Sequence, residues 1–143
     1  MTETIAVAAD HGGYDLKTIL VPELRALGFE VLDLGTAGPE SVDYPDFAAA
    51  VAHALLEGKA QRGVLLCGTG IGISIAANRF RHVRCALAHD TTTARLSRQH
   101  NDANVLAMGA RVVGVEVAKD CLKVFFTTAF EGGRHARRVA LMS

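Results

Sequence analysis

The chain has 143 residues, the length of one ordinary domain, so residues 1–143 are read as a single domain with its own core. Lys+Arg and Asp+Glu balance at 15 each, which excludes a general affinity for nucleic acid or anionic membrane and leaves any anionic ligand to a local cluster of charge. Half of the residues are apolar and the mean hydropathy is +0.23, an excess that an oligomer interface would absorb.

The N-terminal stretch MTETIAVAADHGG carries acid where an export signal needs base, and its apolar run is short, so no signal peptide is expected. No apolar run approaches the roughly 20 residues of a membrane helix. Residues 4–10 (TIAVAAD) read as a strand, followed by a helix over about 13–27 that ends at Gly28. Residues 29–35 (FEVLDLG) are the second strand; the loop TAGPESVDYP leads into a helix over about 46–58, closed by Gly58. GVLLC, 63–67, is the third strand, before a helix over about 71–80. Residues 84–90 (RCALAHD) and 104–109 (NVLAMG) give two more strands, joined by a helix whose start the Thr91–Thr92–Thr93 run is expected to cap. A helix over about 114–129 and a short basic segment, 134–141, finish the chain.

Five near-continuous apolar strands alternating with helices predict an α/β fold: a doubly wound, three-layer, Rossmann-like sandwich around a five-stranded parallel sheet. In such sheets ligands sit beyond the carboxyl ends of the strands. The three cysteines are odd in number and lack CxxC spacing, which reads against a disulfide framework or a zinc site and for a reducing cytoplasm.

At the carboxyl end of the third strand stands CGTGIGISIAAN, residues 67–78. Gly68, Gly70 and Gly72 let the backbone approach a ligand closely and aim several N–H groups at one point, a turn suited to an anion. The helix that follows adds its positive end. A dinucleotide fingerprint would need glycine at Ile73 and a place after the first strand, and neither condition is met. Cys67 is the last strand residue before the turn. It is either a buried core thiol, the reading that suits Cys85 and Cys121, or a thiolate favoured by the adjacent helix N-terminus. Its position favours the second, without separating a base from a nucleophile.

Asp10–His11–Gly12–Gly13, at the end of the first strand, is a polar site or an Asx-type turn with a solvated histidine. His100, Asn101 and Asp102 form either a titratable cluster near neutrality or a polar loop. Arg134 and Arg138 share a face if their segment is helical, which makes them a fork for phosphate or a solvated basic tail. His53 and His82 read as surface residues, and Tyr44 as a loop anchor or a pocket wall.

Together these segments resemble the type B ribose-5-phosphate isomerases and their galactose-6-phosphate isomerase relatives. The matching stretches are AADHGG, VDYPDFA, CGTGIGISIAAN, LSRQHNDANVLAMGARVVG and FEGGRHARRV, in family order over almost the whole chain. The resemblance implies an aldose–ketose isomerase that interconverts ribose 5-phosphate and ribulose 5-phosphate through a cis-enediolate. Cys67 matches the cysteine that shuttles a proton between C1 and C2. A subset of the family has glutamate where Ile73 stands here, which places this chain in the cysteine class. Gly68, Thr69, Gly70 and Gly72 match the anion-hole turn, with Thr69 counted among the catalytic residues. His100 matches the histidine that assists ring opening, with Asp10 as its helper and Asn101 as a hydrogen-bond partner. His11, Arg111, Arg134 and Arg138 match the phosphate and substrate clamp, and Tyr44 is placed with the substrate-binding set.

The resemblance further implies no metal and no organic cofactor, and a homodimer, or a tetramer built on it, in which the second subunit completes each pocket. The chain stops soon after Arg138, where many relatives continue, so subunit packing is expected to differ from theirs. Three other readings remain. The substrate is another aldose phosphate (allose 6-phosphate, galactose 6-phosphate or a tetrose phosphate), the chain is a nucleotide- or phosphate-binding module without turnover, or it is a subunit that needs a non-identical partner.

Overall fold

Strand β1 (Thr4–Ala9) is buried from Ile5 onward, and its successive side chains enter two different cores. Ile5, Val7 and Ala9 join one cluster, and Ala6 and Ala8 the other. β3 (Arg62–Cys67) divides in the same way, Val64 and Leu66 against Leu65 and Cys67, as does β5 (Val105–Gly109), Leu106 and Met108 against Val105 and Ala107. A strand buried on both faces belongs in the middle layer of a sandwich, which is why these runs are apolar throughout rather than alternating. The flanking strands β2 (Glu30–Asp33) and β4 (Cys85–Leu87) are more exposed and form the edges. This arrangement comes from a computed structural model that describes residues 2–143. The sheet is parallel throughout, in the order β2-β1-β3-β5-β4.

Helices α1 (Tyr14–Ala26), α4 (Thr91–Asn101) and α5 (Val115–Thr127) cover the first face through residues such as Leu20, Leu24, Ala94, Leu122 and Phe125. α2 (Tyr44–Leu56) and α3 (Ile71–Ala77) cover the second. There Ala6, Ala8 and Ala107 of the sheet meet Ala48 and Ala52 of α2, so small residues on both sides let the helix lie close. α6 (Arg134–Met142) buries no residue and lies beside α4. The predicted three-layer α/β sandwich is the fold observed, and no helix among the described residues is long and apolar enough to cross a membrane.

Several boundaries move for local reasons. α2 starts at Tyr44 rather than near residue 46, because Pro45 fits the first helical turn, where no N–H is needed. The predicted strand over 84–90 shrinks to Cys85–Leu87. At its open edge the Asn78 side chain takes the place of a further strand: it donates to the Cys85 carbonyl at 2.9 Å and accepts from the Cys85 N–H at 2.8 Å. The threonine run is the first turn of α4 and not its cap. Asp90 caps the helix, its Oδ1 accepting the Thr93 N–H at 2.7 Å. The basic segment is the helix α6.

The strand order reverses between β1 and β3, the place where a doubly wound sheet opens a crevice at its carboxyl ends. The two connections meet there without side chains between them. A Cβ on Gly13 would lie 2.5 Å from the Leu66 carbonyl carbon and oxygen, so Gly13→Ala forces main chains apart. Overpacking of this kind costs about 1–3 kcal/mol. We expect the Gly13→Ala urea midpoint to fall accordingly, whereas Gly114→Ala, with open space around its Cβ, should leave the midpoint near wild type.

Candidate active site

The carboxyl end of β1 turns sharply into α1. Asp10, 7% exposed, accepts the N–H groups of Gly12 and Gly13 on Oδ1 at 2.9 and 3.2 Å, so the Asx-type turn and the polar site are one feature. His11 is exposed, and its Nδ1 accepts the Val42 N–H at 3.2 Å, tying the loop before α2 to the same corner. A Cβ on Gly12 would stand 3.1 Å from the Gly68 nitrogen, which places the Asp10 turn directly against the turn after β3.

That second turn wraps around Cys67. The Gly70 N–H donates to Cys67 Sγ at 3.1 Å, and Gly70 itself has φ +77°, a left-handed conformation that keeps the loop tight. A hydrogen bond to sulfur strengthens when the sulfur carries negative charge. Thr69 Oγ1 accepts the Ile71 N–H at 3.2 Å, while the N–H groups of Gly68, Thr69 and Gly72 find no acceptor among the described residues. α3 has only seven residues, so the positive field here comes from these individual N–H groups more than from a long helix. Ile73 is fully buried, so the place a third fingerprint glycine would take belongs to the core.

Two side chains close the turn from outside. The Tyr44 ring lies over Gly72, 2.6 Å from where a Cβ would stand, and so Tyr44 is a wall of this site. The Arg111 side chain lies over Gly68, and its backbone N–H donates to the Gly68 carbonyl at 2.9 Å. Asp10, His11, Tyr44, Cys67, Gly68, Thr69, Gly70, Gly72 and Arg111 therefore belong to one site at the carboxyl ends of β1, β3 and β5.

His100, Asn101, Arg134 and Arg138 are elsewhere. α4 runs back from the carboxyl end of β4 to the start of β5, so its last turn lies at the opposite end of the sheet from Cys67. Eleven helical residues span about 16 Å. α5 makes the same return, and the Phe126 carbonyl near its end accepts from Arg62 at the start of β3. The segment after it leads to Glu131, whose N–H donates to the Gln99 carbonyl at 3.0 Å, and to His135, whose ring stacks on His100 at 4.3 Å. Asp10 consequently does not assist His100 within one chain.

The sequence reading passed over Arg98 and His89 and misplaced His82. Arg98, 8% exposed, donates to the carbonyls of Ala103 and Thr128 and to Asp102, locking the end of α4 to the end of α5 and so fixing where His100 stands. An arginine between polar neighbours gives no sequence signal of burial. His89, at the carboxyl end of β4, accepts the Gly109 N–H on Nε2 at 2.8 Å and supports the strand that Thr69 packs against. Its place at a strand end was the available clue. His82 is half-buried rather than a surface residue, with Nε2 2.6 Å from the Ala52 carbonyl.

Of the other two thiols, Cys121 is fully buried and Cys85 half-buried. Burial pushes the Cys85 thiol up to about 12, and burial with the nearby Asp90 and Asp120 charges pushes Cys121 up as well. Desolvation, followed by repulsion from His100 and Arg134, holds His135 below the ordinary imidazole value.

Comparison with known proteins shows the family and the fold. A family profile described as Ribose/Galactose Isomerase matches residues 5–142. Ribose-5-phosphate isomerase B of Escherichia coli K12 is 49% identical over 135 residues, covering 94% of this chain and 91% of the relative. The solved ribose-5-phosphate isomerase B of Clostridium thermocellum superposes with a TM-score of 0.95 at 50% identity, over 97% of this chain and 94% of that one. The D-erythrulose-4-phosphate isomerase of Pectobacterium atrosepticum is 44% identical over 137 residues, 95% of this chain and 90% of the relative.

Only a thiolate alkylates readily; burial opposes that form at Cys85 and Cys121, and the Gly70 N–H is placed to hydrogen-bond it at Cys67. Iodoacetamide near neutral pH is expected to modify Cys67 first, Cys85 more slowly and Cys121 only after unfolding; peptide mass mapping over time reads the order. Labelling of Cys85 at the rate of Cys67 would remove the distinction drawn between them.

Proposed function

The chain belongs to the ribose/galactose isomerase family as an aldose–ketose isomerase, and on that premise we propose that it interconverts ribose 5-phosphate and ribulose 5-phosphate, with Cys67 carrying the proton between C2 and C1. The observation that carries this reading is the Gly70 N–H aimed at Cys67 Sγ, 3.1 Å away, at the strand-order switch point. The substrate follows the two relatives that share about half of this sequence and are named for ribose 5-phosphate.

Once the sugar is open, Cys67 thiolate takes the proton from C2. The C–H electrons form the C1–C2 double bond, and the carbonyl pair moves onto O1. Negative charge then spreads over O1 and O2, where the N–H groups of Gly68, Thr69 and Gly72 would meet it. Donors of this kind are each worth roughly 3 kcal/mol where they have been removed from other enzymes. The O2 hydroxyl proton passes to O1, C2 becomes the carbonyl, and the thiol returns its proton to C1. Atoms and electrons balance without a cofactor. His11 and Arg111 stand at the same corner to hold polar groups of the substrate.

Ring opening and phosphate binding require the other end of the molecule. We infer a twofold dimer in which His100, Asn101, Arg134 and Arg138 of one copy face the Cys67 end of the second. Tyr44, Ile71, Leu87 and Val112 are 39–58% exposed, an apolar rim that a polar ligand does not need and a second copy would cover. The free thiols suit a cytoplasmic setting. A tetrose phosphate is the second substrate reading, favoured by the Pectobacterium relative.

Ketose formation from a panel of four- to six-carbon aldose phosphates decides the substrate, with the highest kcat/KM expected for ribose 5-phosphate. Cys67→Ala should lower kcat by about 10³-fold and abolish solvent-deuterium entry at the sugar carbon without loss of fold; exchange at the wild-type rate would remove Cys67 as the base.

Complementation reads the shared site. Cys67→Ser and His100→Ala should each be inactive alone. Mixed with subunit exchange, half of the dimers are heterodimers with one intact site of two, so activity should return to about a quarter of wild type. A mixture that stays inactive would place the whole site within one chain.

A further inference from the structure

His100, Glu131 and His135 carry one ligand atom each, and those atoms lie within 4.8 Å of one another. Glu131 Oε1 lies 3.9 Å from His100 Nε2 and 3.6 Å from His135 Nε2. The rings are stacked 4.3 Å apart at 15°, so one of them turns out of the stack when both nitrogens point at one ion. Around a zinc ion with bonds of about 2.0–2.1 Å, tetrahedral ligand atoms lie roughly 3.4 Å apart, so each nitrogen closes on the carboxylate by a few tenths of an ångström, and the two nitrogens, within 4.8 Å of each other, close by up to about 1.4 Å.

The frame that holds them is already fixed. Arg98 anchors the last turn of α4, the Glu131 N–H is bonded to the Gln99 carbonyl, and Gly132 and Gly133 take positive φ to turn His135 back toward His100. Two imidazoles and a carboxylate are borderline donors, suited to zinc and its first-row neighbours rather than to magnesium or calcium. The His135 side chain is 12% exposed, but those of His100 and Glu131 are 39% and 51% exposed, so a cation could enter, with coordination positions left open to water. Arg134 and Arg138 stand on the same helix as His135 and oppose a cation, which argues for reversible rather than structural binding.

We propose that His100, Glu131 and His135 form a reversible divalent-cation site for zinc, and that zinc bound there inhibits by occupying His100. The binding rests on geometry alone. The inhibition rests on the reading that His100 serves ring opening.

Protein stripped with EDTA and desalted is titrated with zinc chloride by calorimetry, with cobalt absorption as a second signal for the ligand set. One zinc per chain is expected in wild type and in Cys67→Ser, the control for capture by the reactive thiol. Affinity should fall at least about tenfold in His135→Gln and in Glu131→Gln, with circular dichroism checking their fold. Wild-type turnover should fall as the site fills and recover with EDTA, and His135→Gln should need at least tenfold more zinc for the same inhibition. Absence of binding, equal affinity in both ligand variants, or loss of binding in Cys67→Ser would overturn the site. Binding without inhibition would overturn the regulatory half. Failure of EDTA-treated wild type to turn over any aldose phosphate would count against the isomerase reading instead, and leaves the calorimetry intact.

Discussion

The site depends on main chains meeting where no side chain fits. Gly13 lies against the Leu66 carbonyl, Gly12 against the Gly68 nitrogen, Gly70 against the Met108–Gly109 peptide, and Gly109 against the Thr69 carbonyl. These contacts join the carboxyl ends of three neighbouring strands, β1, β3 and β5, into one floor. Glycine is demanded by space at most of these positions, and at Gly70 by its positive φ as well. The closeness holds the Gly70 N–H on the Cys67 sulfur and brings the Asp10 turn against Gly68. Widening the contact at Gly70 would displace its N–H from the Cys67 sulfur.

The same winding that builds this floor denies it a complete set of reactive groups. Each helix in a parallel sandwich returns the chain to the starting end of the sheet, so residues that close a helix stand far from residues that close a strand. Cys67 ends a strand and His100 nearly ends a helix. No side-chain rotation bridges a helix length of about 16 Å. A mechanism that uses both groups therefore requires two copies, and the apolar residues left bare around Gly72 and Gly70 give the second copy something to bury.

Legibility in the sequence followed the physics of each element. The strands were readable because two-sided burial leaves an uninterrupted apolar signature, and their order of use at the carboxyl ends followed from the fold class. The glycine turn after Cys67 was readable because only glycine tolerates that approach. Pairing across elements was not. Arg98 looks like any solvated arginine until α5 closes over it, and the Asn78 amide that finishes the β4 edge has no periodic mark. The alternatives for Asp10 merged because a carboxylate can close its own turn and still line a crevice. Position along the chain gave no hint that His100 and Cys67 stand at opposite ends; that follows only from the direction in which α4 runs.

Burial alone makes a thiol inert, and the chain contains its own comparison. Cys85 is pushed up to about 12 by desolvation with nothing to offset it. Cys67 is just 4% exposed, yet it has the Gly70 N–H on its sulfur and further unpaired donors beside it. Exclusion of water is itself useful to a group that must take a proton from carbon and return it to the next carbon, because a proton lost to solvent ends the transfer. In a single copy the rim of Tyr44, Ile71, Leu87 and Val112 stands open on one side. Closing it with a second copy would seal the thiol and deliver the distant histidine and arginines in the same contact, so assembly and catalysis would be set by one interface.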